Sequence, residues 1–248
     1  MTLSVADERV RVLLEAENKG NEAAERVKAV LHIFGRAVEA QSIDRIGAGN
    51  KTSFAFELPL PKEKTGRFPF VGEVFFHDHR MNPYSALTAG TFPATGGSKP
   101  GISARASYIA VATRGTLKIL VTNRLRSVQP LKATLFLPYA LTASRLEQEI
   151  QAETGKQSAV EFELSNRCGI GGARYPIFCV LEYDENGAPN TVLVQSLVTI
   201  KEPENWFVRT RWYWLWGFFG ILGVWGMMGL YGRRSVREEV RSLKSEVN

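Results

Sequence analysis

Residues 77–81 read His-Asp-His-Arg-Met, which sets two imidazoles and a thioether, His77, His79 and Met81, at alternate positions. On a β-strand alternate side chains leave the same face. Imidazole with thioether is a soft donor set of the kind that takes copper. The competing reading is a polar strand end running into a turn. The sequence favours that reading, because the matching stretch of a second repeat carries Asp184, Asn186 and Ala188, which supply no such donor set. No cofactor is expected. His32 is the one other histidine.

The two cysteines, Cys168 and Cys179, flank the stretch "GIGGARYPIF". In an oxidising compartment they could bridge a loop to the strand beside it. Two unpaired thiols, one of them buried, is the alternative, and the residue types leave both open. No C-x-x-C, H-E-x-x-H or G-x-S-x-G occurs, and "ETGKQS" lacks the spacing of a phosphate-binding loop. Three histidines leave little from which to build a nucleophile and its base. The sequence therefore points away from an enzyme. Its net charge of +6 is spread along the chain with no basic patch between aromatics, which points away from nucleic acid.

The elements that hold these residues are strands. Val10-Val12-Leu14, Phe54-Phe56-Leu58, Phe68-Phe70, Leu117-Ile119-Val121 and Val192-Val194 alternate with polar residues at a period of two. Turn-forming clusters separate them: "NKGN" at 18–21, "GAGNK" at 47–51 and "DENGAPN" at 184–190. The stretch "NEAAERVKAVLHIF" has a helical composition, but its counterpart "SVQPLKATLFLPY" contains two prolines, so a strand is expected at both.

Those counterparts belong to an internal repeat. Asn18 matches Asn123, "VKAVL" from Val27 matches "LKATL" from Leu131, and "FEL" at Phe56 recurs at Phe162. Arg67-Phe68-Pro69 matches Arg174-Tyr175-Pro176, and Phe76 matches Tyr183. The order is kept, with offsets of 104 to 107 residues. About seven short strands per hundred residues predicts an antiparallel sandwich of immunoglobulin type. The expected domains are a sandwich at 1–92, a linker rich in Pro and Gly at 93–101, and a second sandwich at 102–201. The segment "ISARASYIAVA" at 102–112 opens the second copy. Its counterpart would fall before residue 1, so the first copy is expected to lack part of its opening strand, and the protein to begin upstream with a signal sequence.

The pattern V-x-L-x-x-E-N-x-G-N of residues 12–21, followed by the Val27 strand, F-x-L, G-x-F-P-F and an acidic turn, resembles prokaryotic immunoglobulin-like domains of the CARDB and alpha-galactosidase-associated type. The second copy departs from it, having no glycine at the place of Gly20. The resemblance implies non-catalytic spacer or binding modules of envelope and surface proteins.

Beyond the repeats the chain changes character. From Trp212 to Tyr231 there is no Asp, Glu, Lys or Arg. Twenty helical residues span roughly 30 Å, the thickness of a bilayer core. A juxtamembrane segment at 202–211, a transmembrane helix at 212–231 and a basic amphipathic tail at 232–248 are expected. Trp212, Trp214, Trp216, Tyr231, Arg233 and Arg234 sit where interface residues belong. Gly217, Gly220, Gly223, Gly226, Gly229 and Gly232 recur every third residue, which would wind a groove round that helix for neighbouring membrane helices to approach. The tail carries Arg233, Arg234, Arg237, Arg241 and Lys244, which places it in the cytoplasm and the body outside, in a single pass of the cytoplasmic membrane.

The fold class expected is thus mainly β: two tandem immunoglobulin-like β-sandwiches followed by one C-terminal transmembrane α-helix. The expected function is a non-catalytic membrane protein that presents two domains as a spacer or binding scaffold, with the membrane and other membrane proteins as partners. A membrane-anchored module binding a polysaccharide is one alternative, although no tryptophan precedes Trp206 to form a sugar platform. A periplasmic copper-handling protein, resting on His77, His79 and Met81, is the other.

Overall fold

A computed structural model describes residues 1–202, except 7, 62–65, 94–99 and 186, together with 210 and 212–216. Residues 1–202 form one compact unit, distinct from the remainder of the chain. Its first half holds β1 (Thr2–Ala6), β2 (Arg9–Glu17), β3 (Ala24–Ile33), β4 (Arg36–Glu39), β5 (Ile43–Ile46), β6 (Lys51–Pro59), β7 (Arg67–His77) and β8 (Pro83–Pro93). The second half holds β9 (Ile102–Ala106), β10 (Ile109–Val111), β11 (Arg114–Asn123), β12 (Gln129–Phe136), β13 (Leu141–Ala143), β14 (Glu147–Ala152), β15 (Gln157–Asn166), β16 (Arg174–Glu185) and β17 (Ala188–Ile200).

Alternation writes the layers. In β2, Val10, Val12 and Leu14 are buried while their neighbours are exposed, and β6 repeats this with Phe54, Phe56 and Leu58. Sheet β1-β2-β6 therefore has one apolar face, which covers the facing sheet β4-β3-β7-β8, with β5 also pairing β3. One core, built around Val12, Leu14, Leu31, Phe54 and Phe56, lies between them. Residues 102–200 make a second core between sheet β13-β15-β11-β9 and sheet β10-β17-β16-β12-β14. The architecture is a mainly β, sandwich-like fold.

The helical composition of residues 21–34 loses to pairing. Val27, Ala29, Leu31 and Ile33 point inward at a period of two, and β3 bonds to β4, β5 and β7. A bulge marks the strain of that choice: the register shifts between Glu25 and Lys28, and Arg26 sits at φ 52°.

The expected fold class needs one correction. Among the described residues no helix is long and apolar enough to cross a membrane. Residues 212–216 are helical. The fold is mainly β in several sheets, without a final transmembrane helix in the described chain. The glycines Gly217, Gly220, Gly223, Gly226, Gly229 and Gly232, and Tyr231, Arg233 and Arg234, lie outside the described residues, as does most of the 93–101 linker.

Candidate functional site

The two halves of the body meet at a concave surface. The strand β16 explains why they meet. Its residues Ile177 to Leu181 are all buried, so both of its faces are covered. Ile177, Cys179 and Leu181 fill the second core, whereas Phe178 and Val180 point the other way. Val30 and Val71 of the first half are also buried outside their own core. Val71 and Val180 line one small cavity with His32 and Phe136. The His32 and Phe136 rings meet edge to face at 5.2 Å. The Tyr139 amide donates to Ser85 Oγ at 2.7 Å, and Ser85 also bonds the Glu73 carboxylate. Gly66, at φ 113°, lies so close that a Cβ there would stand 2.1 Å from the Pro189 carbonyl.

Beside this contact opens a cleft of about 830 Å³. The start of β7 gives it Arg67 and Phe68; β12 gives Lys132, β14 gives Glu149, and the β16–β17 hairpin gives Glu182, Asp184 and Asn190. Lys132 Nζ is 3.0 Å from Glu147 Oε2, a bond that raises its pKa. Glu182 sits opposite Lys132 across the ladder. Burial raises the Glu182 pKa, and the neighbouring Lys132 charge pulls it part of the way back. Arg67 Nη1 donates to Thr91 Oγ1 at 2.9 Å, while its buried Nε has no partner. The buried Asn190 Oδ1 has none either. The cleft thus holds one spare donor, Arg67 Nε, and one spare acceptor, Asn190 Oδ1, beside the ion-paired Lys132. That arrangement suits recognition of a small polar group better than bond-breaking.

The structure disperses the site residues read from the sequence. His77 ends β7 opposite Pro83, with its Nδ1 buried and unpartnered. The strand stops there, so His79 and Met81 do not share a strand face with it. Asp78 makes the turn instead: its Oδ1 accepts the Arg80 and Asn82 amides at 2.8 Å each. His79 Nδ1 bonds Glu22, and Met81 is an exposed turn residue at φ 65°. Among the described residues no three of His, Cys, Asp and Glu gather closely enough to hold a metal ion. Cys168 and Cys179 are both free thiols. Cys168 is exposed; Cys179 is buried, which pushes its thiol up to about 12. Trp212, Trp214 and Trp216, in the helical residues 212–216, are 61%, 60% and 72% exposed.

Sequence reasoning missed Lys132, Glu182 and Asn190 as cleft residues. The unbroken apolar run at 177–181 was the available signal, since a strand without alternation is covered on both faces.

No family model matches the chain, and no curated protein matches it in sequence. Among solved structures, the body is similar to a Salmonella alpha-2-macroglobulin reacted with methylamine, at 12% identity and a TM-score of 0.35, over 81% of this chain and 16% of that one. It is similar to a red sea bream transglutaminase at 11% identity and a TM-score of 0.28, over 82% and 31%. An Escherichia coli alpha-2-macroglobulin activated by porcine elastase gives 11% identity and a TM-score of 0.33, over 78% and 21%. The chain spans less than a third of each of these proteins.

Proposed function

We propose that the protein is a non-catalytic scaffold that works by interaction, with two immunoglobulin-like repeats presented outside the cytoplasmic membrane. The observation that carries this reading is a duplicated asparagine bracket. Asn18 Nδ2 donates to the Glu22 and Ile46 carbonyls, and its Oδ1 accepts the Gly20 amide. Asn123 Nδ2 donates to the Ser127 and Ala152 carbonyls, and its Oδ1 accepts the Leu125 amide. Each partner lies 105 or 106 residues further on. Gly49 and Gly155 both have positive φ and both donate to the backbone of that asparagine. The order β2-β6 against β3-β7-β8 matches β11-β15 against β12-β16-β17. One module used twice, with its halves packed together, serves as a rigid spacer or presenting surface more readily than as a reaction centre.

The membrane part of the proposal rests on the C-terminal sequence. Three tryptophans exposed together would leave a large apolar area in water, and indole is at home at the level of lipid headgroups. The uncharged run after them gives the chain its attachment, and the glycines at 217–232 give it contact with other membrane proteins.

The exposed Cys168 tests the topology without any substitution. In cells whose outer barrier is opened but whose cytoplasmic membrane is intact, an impermeant thiol reagent should label Cys168 and spare the buried Cys179. Labelling of Cys168 only after the cytoplasmic membrane is broken would place the body inside and refute this reading.

A further inference from the structure

The cleft between the two halves carries its charges on separate walls. One wall is the outer face of the sheet that ends in β14. There Lys132 has Glu149 opposite it on β14 and Glu182 opposite it on β16, and Asp184 follows Glu182 at the next position on that face. Lys132 is already committed to Glu147, at 3.0 Å. Glu149, Glu182 and Asp184 have no ion pair among the described residues. The other wall comes from β7, where Arg67 spends Nη1 on Thr91 and keeps Nε without a partner. Arg67 has no ion pair among the described residues either, so the two walls stand too far apart to neutralise each other.

With Lys132 neutralised by Glu147, the lining keeps one positive charge, Arg67, and three negative ones, Glu149, Glu182 and Asp184. A ligand that fills this space must be cationic toward β14 and β16 and must offer an acceptor toward β7. A simple polyamine meets the first condition and fails the second, because it has nothing to accept the Arg67 Nε–H. An anion meets the second and fails the first. A neutral sugar favours a flat ring to lie on, but Phe68 is only 9% exposed and Phe34 stands edge to face with it at 5.3 Å. Pro61, Pro69, Pro130 and Pro189 bring apolar surface without N–H donors. A volume of about 830 Å³ suits several residues of chain better than a single ion. Asn190, 4% exposed, adds its spare Oδ1 as an acceptor for an N–H.

We propose that the cleft binds a partner polypeptide at a basic residue. The lysine or arginine side chain of that residue lies against Glu182, Asp184 and Glu149, and its main-chain carbonyl accepts from Arg67. The prolines and Phe34 pack against the apolar residues on either side of it. Burial holds the Glu182 carboxyl above the ordinary carboxylate pKa, so a cation beside it relieves a cost that the buried carboxylate otherwise bears. The proposal rests on the reading of the protein as an interaction scaffold, and names the kind of partner it takes.

The probe is a pool of acetylated, amidated pentapeptides with lysine fixed at the centre and the other four positions mixed, passed over the immobilised full chain in detergent. A second pool carries norleucine at the centre, an uncharged side chain of nearly the same length. Wild type should retain the lysine pool in preference to the norleucine pool, and salt should weaken that retention. Glu182→Gln with Asp184→Asn removes two carboxylates at constant shape and should lower retention about tenfold. Arg67→Lys keeps the charge of the other wall but removes Nε, and should lower retention as well; it decides the matter if the double variant fails to fold. Spermidine and an N-acetylglucosamine oligomer should compete poorly. No retention of the lysine pool, equal retention of the two pools, or equal retention by wild type and a folded variant would overturn the proposal. So would ready displacement by spermidine or by the oligomer, since a polyamine or a sugar would then be the occupant. Cys168 labelling does not depend on the cleft, so the two readings can fail separately.

Discussion

His32 illustrates how one residue senses the packing of the two halves. It is half-buried on β3 against Phe136, and burial holds its pKa below the ordinary histidine value. A depressed imidazole pKa means that the unfolded chain binds more protons than the folded one as pH falls through about 6.5. Its contribution is therefore intact above that pH and is lost as pH drops from there to the lower folded pKa. Thermal melts of wild type should show a lower Tm at pH 5.5 than at pH 7.5, and His32→Gln should show a smaller drop. Equal drops in the two proteins would remove His32 as a source of the pH dependence. Glu73 and Glu182 act with the opposite sign: burial raises their pKa values, so each costs stability as pH rises above about 4.5. At this scale the sequence was informative about residue type and poor about neighbours. The alternation of His77, His79 and Met81 is plain in the sequence; Asp78 ending the strand there depends on its bonds to Arg80 and Asn82.

At the scale of elements, the asparagine bracket ties the connection after β2 to β5, and the connection after β11 to β14. Asn123 is fully buried and Asn18 only partly so. Removing a buried amide strands the carbonyls of Ser127 and Ala152, at a cost of about 2–3 kcal/mol, whereas water can replace a partly exposed one at about 1 kcal/mol. Denaturant melts should rank Asn123→Ala as more damaging than Asn18→Ala; the reverse order would show that the two brackets are not equivalent in use. Most strands were legible, because Val10-Val12-Leu14 and Phe54-Phe56-Leu58 alternate as a half-buried strand must. The strand at Ala24–Ile33 was legible through its proline-bearing counterpart rather than through its own composition. The position of β1 was not legible: nothing local tells Thr2–Ala6 to pair Arg9–Leu13 rather than Leu14–Asn18.

At the scale of the whole molecule, the sequence offers five landmarks at offsets of 104 to 107 residues, but the packing of the first half on the second was not legible. Phe178, Val180, Val30 and Val71 belong to neither core and are buried all the same. Their burial, the Ser85–Tyr139 bond and the close approach of Gly66 to Pro189 make the body a single unit that presents a cleft. Such contacts join residues from 54 to 123 positions apart, which a local period cannot encode. Under the proposed function, the exposed tryptophans beyond the body would hold this unit at a membrane. The most direct test is flotation with phospholipid vesicles. The purified chain, with detergent removed in the presence of lipid, should rise with the vesicles and resist release by high salt. The same chain ended at Glu202, the limit of the first compact unit, should stay at the bottom of the gradient. If the full chain stays there too, the protein is not held at a membrane and the account of it as a membrane scaffold fails.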